Sequence, residues 1–173
     1  MTRYARMAGL AVALATNGAA PVAAQSRPAP VVEGAVGWAG FGDEGMIHHT
    51  LFGGAARFYL SPRFSVGPEL AYMVGPGADR DLMVTGNVVF DVLAPTATGP
   101  RRVTPFLVAG GGLFRHSDRF PRGTFSSTVG VVTLGLGLRA RTTRRTFVAV
   151  DARLGWVPHL RVAATMGVAL TPD

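Results

Sequence analysis

From Val32 onward the chain is dominated by a period of two, the repeat of an extended strand whose two faces meet different surroundings. The run from Phe64 to Val74 shows it most clearly. Phe64, Val66, Pro68, Leu70, Tyr72 and Val74 alternate with Ser65, Gly67, Glu69, Ala71 and Met73. A one-residue slip would carry every apolar side chain to the wrong face, so this pattern fixes register as well as conformation.

Eight such segments follow one another: Val32 to Phe41, Leu51 to Leu60, Phe64 to Val74, Asp81 to Leu93, Pro105 to Arg115, Thr128 to Arg141, Val148 to Trp156 and Leu160 to Leu170. Phe52, Ala56, Phe58 and Leu60 oppose Arg57 and Tyr59 in the second, and Leu82, Val84, Val88, Phe90 and Val92 oppose Thr85, Asn87 and Asp91 in the fourth. In the seventh, Val148, Val150, Leu154 and Trp156 oppose Asp151 and Arg153, and in the eighth Arg161 and Thr165 stand against Leu160, Val162, Met166, Val168 and Leu170. The first, fifth and sixth are richer in glycine, with their charges expected opposite the larger apolar side chains. Pro68 lies inside a segment and removes a ladder donor, which predicts a local bulge.

Alternation alone fits a soluble barrel as well as a membrane one, and the polar face separates them. It consists mainly of Gly, Ala, Ser and Thr with about one charge per segment, too few to solvate an exterior but suited to the narrow interior of eight strands. Charged residues make up 16% of the chain, and its 23 glycines are about twice the usual share of roughly 7%. The expected fold is therefore all-β: an antiparallel, up-and-down, eight-stranded transmembrane β-barrel over residues 32–170. Trp38, Phe52, Phe58, Phe64, Tyr72, Phe90, Phe106, Phe114 and Trp156 are expected on the lipid side as interfacial girdles.

Short polar stretches join the segments. Leu60 to Arg63 and Thr142 to Arg145 read as tight periplasmic turns, and Ala94 to Thr104 is long for a third. Gly42 to Thr50, Gly75 to Arg80, His116 to Ser127 and the Pro158-His159 junction would then face outward.

Ahead of the barrel, Arg3 and Arg6 precede an apolar run over residues 7–15, and small residues end at Ala24. This is the order of a secretory signal peptide, expected to be cleaved after Ala24 and followed by a linker over residues 25–31. The apolar run breaks at Thr16, Asn17 and Gly18, short of the about 20 residues that a spanning helix needs. With no cysteine, disulfides and thiolate metal sites are excluded. All 17 basic residues are arginine, against 10 acids. The pairs Arg101-Arg102 and Arg144-Arg145 suit anionic lipid head groups or solvation. No basic helix or aromatic platform supports nucleic-acid binding.

Arg57-Phe58-Tyr59-Leu60-Ser61-Pro62-Arg63 leading to Gly67-Pro68-Glu69, with Pro105 to Gly112, resembles the eight-stranded outer-membrane barrels of the OmpA/OmpX type over residues 32–170. That resemblance implies insertion by the barrel-assembly machinery and a role in envelope integrity, adhesion or limited solute passage. Members commonly end in an aromatic residue, whereas this sequence ends Leu170-Thr171-Pro172-Asp173.

No constellation reads as catalytic, and no cofactor is expected. Glu33, Arg57, Glu69, Asp91, Arg139, Asp151, Arg153 and Arg161 are expected to face the lumen and pair there, with Arg115 and Arg141 nearer its ends, because an unpaired buried charge costs several kcal/mol. Such pairing predicts a plug rather than a channel. Arg119 and Arg122 are candidate contacts for lipopolysaccharide phosphates. His48 and His49 beside Asp43 and Glu44 form a weak surface metal motif. His116-Ser117 offers the residue types of outer-membrane lipid A hydrolases, but adjacent strand residues point to opposite faces. These features predict a monomeric, non-enzymatic outer-membrane protein in contact with lipid and lipopolysaccharide. A narrow pore, a lipid-modifying enzyme and a soluble periplasmic ligand-binding barrel are the alternatives.

Overall fold

A computed structural model describes residues 28–43, 45–96, 101–121, 123–157 and 159–170. Eight antiparallel strands run in chain order: β1 (Val31–Asp43), β2 (Gly45–Tyr59), β3 (Phe64–Val74), β4 (Arg80–Asp91), β5 (Val103–Phe120), β6 (Gly123–Arg141), β7 (Thr146–Gly155) and β8 (His159–Ala169). Each pairs with its sequence neighbours, and β1 pairs with β8 to close the barrel. Closure leaves no unpaired edge, as an all-strand structure in hydrocarbon requires. The expected signal peptide at residues 1–24 and the first three residues of the linker lie outside the described residues; β1 takes up Val31, one residue before the expected start.

The outer surface is a continuous apolar belt to which every strand contributes, including Val36, Phe52, Leu70, Val84, Leu107, Leu134, Val150 and Val162, all exposed. No soluble monomer commonly exposes an apolar surface of this extent. Strands of 10 to 19 residues meet or exceed the roughly 9 to 11 needed to cross a bilayer.

At the end carrying the chain termini, two turns are built alike. The Ser61 hydroxyl accepts from the Arg63 and Phe64 amides at 3.3 and 3.1 Å, and the Thr143 hydroxyl accepts from those of Arg145 and Thr146 at 3.2 and 3.0 Å. The Arg63 guanidinium donates to the carbonyls of Asp91 and Val92, tying the β2–β3 turn to the start of the longer β4–β5 connection.

Four expectations are corrected. The stretches Gly42 to Thr50 and His116 to Ser127 are largely strand, because β1–β2 and β5–β6 extend as hairpins well past the belt, and His159 belongs to β8. The β5 faces are exchanged: Phe106 and Phe114 are 1% and 5% exposed inside the barrel, while Leu107, Leu113 and Arg115 point outward. Phe106 fits inside because its cross-strand partner on β6 is Gly137, where a Cβ would collide with the phenyl ring. Arg115 lies beyond Leu113 toward the outer end of β5, where an outward charge meets water and head groups. Pro68 produces no bulge. The β2–β3 pairs Ala55–Glu69 and Phe58–Val66 keep the same register, and the ladder opens between them without an inserted residue. Pro68 lies within that opening and points outward.

Candidate functional site

The strands stack the barrel interior into bands. Nearest the termini lie Val31, Val89, Phe106, Val108, Phe147 and Ala149. Nearer the other end lie Ala39, Leu51, Ala71, Met73, Met83, Phe114 and Val131. Charged groups sit between and beside these layers.

All eight expected lumen charges lie in ion pairs. Arg57 Nε is 2.6 Å from Glu33 Oε1, linking β2 to β1. Arg139 Nη1 is 3.0 Å from Asp91 Oδ1, and its guanidinium lies 5.1 Å from the centres of both the Phe106 and Phe147 rings. Glu69 is the central node. It accepts from Asn87 Nδ2 at 2.8 Å and from Arg153 Nη1 at 2.9 Å, and it pairs with Arg161. Arg153 Nε is 2.7 Å from Asp151 Oδ1, which lies 4.0 Å from Arg161 Nη2. Four arginines therefore meet four carboxylates on β3, β7, β8 and their neighbours, with no net charge. Low local dielectric strengthens these attractions, and mutual pairing offsets the cost of desolvating each ion.

A second polar cluster closes the opposite end. His49 on β2, Asp79 in the β3–β4 turn, Asp81 on β4, and His116 and Asp118 on β5 converge there. The β3–β4 turn is tied by Gly75 N–H to Asp79 C=O at 3.1 Å and by Asp79 N–H to Pro76 C=O at 3.2 Å, with Gly77 at a φ of 62°. Gly75 leaves room for His49 and Asp79, because a Cβ there would push against His49 Nε2 and Asp79 Oδ2. His49 Nε2 is 2.8 Å from Asp79 Oδ2 and 3.2 Å from Asp81 Oδ2. His116 Nδ1 is 2.8 Å from Asp81 Oδ1 and 3.5 Å from Asp79 Oδ1. Its other nitrogen, Nε2, is 3.3 Å from Asp118 Oδ2.

Sequence reasoning assigned nothing to Asp79, Asp81 or Asp118. The available signal was parity: Asp81 alternates in phase with Met83, and His49 in phase with Leu51. The expected connection over His116 to Ser127 instead leaves His116 in a loop beyond the strand pattern. The expected His48-His49 metal motif is divided between the two faces. His49 is buried inside, whereas His48 accepts from the Trp38 indole at 3.2 Å; Glu44 lies outside the described residues. His116 and Ser117 likewise diverge, His116 pairing inward with Asp81. Arg119 is exposed near the tip of the β5–β6 hairpin, and Arg122 lies outside the described residues.

No family model and no curated protein matches the chain. Solved structures do. Neisserial surface protein A superposes with a TM-score of 0.71 at 13% identity, covering 82% of this chain and 97% of that one. The N-terminal β-barrel domain of Pseudomonas aeruginosa OprF gives 0.61 at 15% identity, covering 84% and 100%. Ail, the attachment invasion locus protein of Yersinia pestis, gives 0.57 at 11% identity, covering 83% and 97%. The fold is that of the small eight-stranded outer-membrane β-barrels.

Proposed function

We propose that this chain is a non-enzymatic outer-membrane protein that closes its own lumen and acts through its outer surface, in envelope integrity or surface interaction. The observation that carries this reading is the node at Glu69, where Arg153 and Arg161 meet one carboxylate and Asp151 completes the charge balance. Solute passage would have to part these ions in a lumen already filled by side chains, since an eight-stranded barrel has little free bore. The surface role draws on the β5–β6 hairpin, whose strands of 18 and 19 residues are the longest in the barrel and present Arg119, Phe120 and Phe125. Ail, of like fold, has been crystallised with the heparin analogue sucrose octasulfate. For this chain the corresponding acidic partner is the phosphate of lipopolysaccharide, contacted by Arg119 and Arg122.

Export through a signal peptide cleaved after Ala24, insertion by the barrel-assembly machinery and a monomeric state belong to the same reading. Single-channel recording in planar bilayers tests its core. Insertion without steady conductance across a range of voltages is the expected result, and a reproducible open level in the unmodified protein rejects the plug.

A further inference from the structure

The two polar clusters inside the barrel are balanced differently. In the central network every carboxylate has an arginine: Glu33 with Arg57, Asp91 with Arg139, and Glu69 and Asp151 with Arg153 and Arg161. At the other end, the only ion-pair partners of Asp79, Asp81 and Asp118 among the described residues are His49 and His116. Three carboxylates thus face two imidazoles, with no arginine paired to any of them among the described residues. Arg80, beside them in sequence, turns away and donates to the backbone carbonyls of Gly77 and Asp79.

We propose that this cluster is a binding site for a divalent transition-metal ion of the zinc class, held by His49 Nε2, Asp79 Oδ2 and Asp81 Oδ2 with the fourth position open to water, and supported from behind by His116. Each carboxylate turns Oδ2 to His49 and Oδ1 to His116, so His116 stands behind the three ligands rather than among them. The 3.2 Å separation from His49 Nε2 to Asp81 Oδ2 is near the edge, about 3.3 to 3.6 Å, of a tetrahedron whose centre lies about 2.0 to 2.2 Å from each ligand, and the 2.8 Å contact with Asp79 Oδ2 has to open by about half an ångström to admit the ion. Nitrogen and carboxylate oxygen together select zinc over calcium or magnesium, which favour all-oxygen shells.

Two further observations point the same way. The Asp79 side chain is 11% exposed, and its Oδ1 has no hydrogen-bond partner although it lies 3.5 Å from His116 Nδ1. Asp118 pairs with the far nitrogen of His116, whose near nitrogen meets the second oxygen of Asp81, an outer-shell chain of the kind that orients a metal-ligating carboxylate. The His49 and Asp81 side chains are 2% exposed, whereas His116 and Asp118 are 32% exposed, so the site has a sealed floor and an entrance from the barrel mouth.

Isothermal titration of Zn2+ into untagged protein isolated in detergent tests the proposal. Saturation at one ion per chain is expected, with excess Ca2+ failing to compete. His116→Ala and Asp81→Asn should each weaken binding at least tenfold, since losing even an outer-shell partner costs about 10- to 100-fold. His48→Ala, one residue away on the outer face, should bind as the unmodified protein does. Faster migration of unheated samples on SDS gels verifies folding of each variant. If His116→Ala or Asp81→Asn fails to fold, the more exposed Asp118→Asn replaces it, with a loss of about tenfold expected. In a second readout, Co2+ should give the intense visible absorption of a tetrahedral site. Absence of saturable Zn2+ binding by the folded protein, unchanged affinity in the folded His116 and Asp81 variants, or an octahedral Co2+ spectrum would overturn the assignment.

Discussion

Asp81 and His116 face each other directly across the β4–β5 ladder, and their side chains meet inside the barrel at 2.8 Å. This pairing depends on the orientation of the whole of β5, because the alternation that turns His116 inward also turns in Phe106, Val108 and Phe114. Phe106 is therefore part of the packing between the lumen charges and the terminal end of the barrel, with Arg57 and Arg139 lying 5.6 and 5.1 Å from its ring centre. Phe106→Ala should destabilise the folded barrel by about 3 to 5 kcal/mol, the usual cost of emptying a buried aromatic position. The urea midpoint of the detergent-folded protein checks this, and an unchanged midpoint would put Phe106 on the lipid side.

Glu69 is the shared partner of Arg153 and Arg161. Glu69→Ala leaves two buried guanidinium groups competing for Asp151 and should cost about 3 to 5 kcal/mol, because breaking a buried pair strands a charge. Val66→Ala removes only apolar surface and should cost less. Reversible unfolding followed by the same urea titration distinguishes the two, and equal losses would show that the ion network contributes little beyond packing.

Most of this architecture was legible from alternation alone. In β3, β4, β7 and β8 one parity is plainly larger and apolar, so Glu69, Asp91, Asp151, Arg153 and Arg161 could be placed on the inner face before their partners were known. β5 was opaque for a physical reason: it carries large apolar residues on both faces, Phe106 and Phe114 inside, Leu107 and Leu113 outside. Only a cross-strand fact, the opposition of Phe106 and Gly137, decides between them. The mouth cluster was hidden by the same ambiguity and by distance in sequence. His49, Asp81 and His116 become neighbours only once strand register is known.

Leu134 is 66% exposed in the apolar part of β6. Leu134→Arg should cost about 2 to 4 kcal/mol, the cost of an arginine near the bilayer midplane. Arg115→Leu, on the outer face near the end of β5, should be nearly neutral. Comparing folding yields into lipid vesicles checks the pair. A tolerated arginine at position 134 would argue for a water-facing exterior, and recovery of the protein from the periplasm without detergent would do the same.

Arg119 stands exposed on the β5 arm of the longest hairpin, beyond the residues that pair with β4. A guanidinium there can meet phosphate as a charge-assisted, bidentate donor without giving up a lumen partner. Reversing both Arg119 and Arg122 to glutamate replaces attraction with repulsion and should weaken retention on lipopolysaccharide-containing vesicles several-fold at low salt. The difference should shrink as added salt screens the surface charges. The interior network and the mouth histidines lie on the other face of the sheet, so the double variant should keep its heat-modifiable migration. Retention equal to that of the unmodified barrel at every salt concentration would remove the hairpin arginines from any role at the membrane surface.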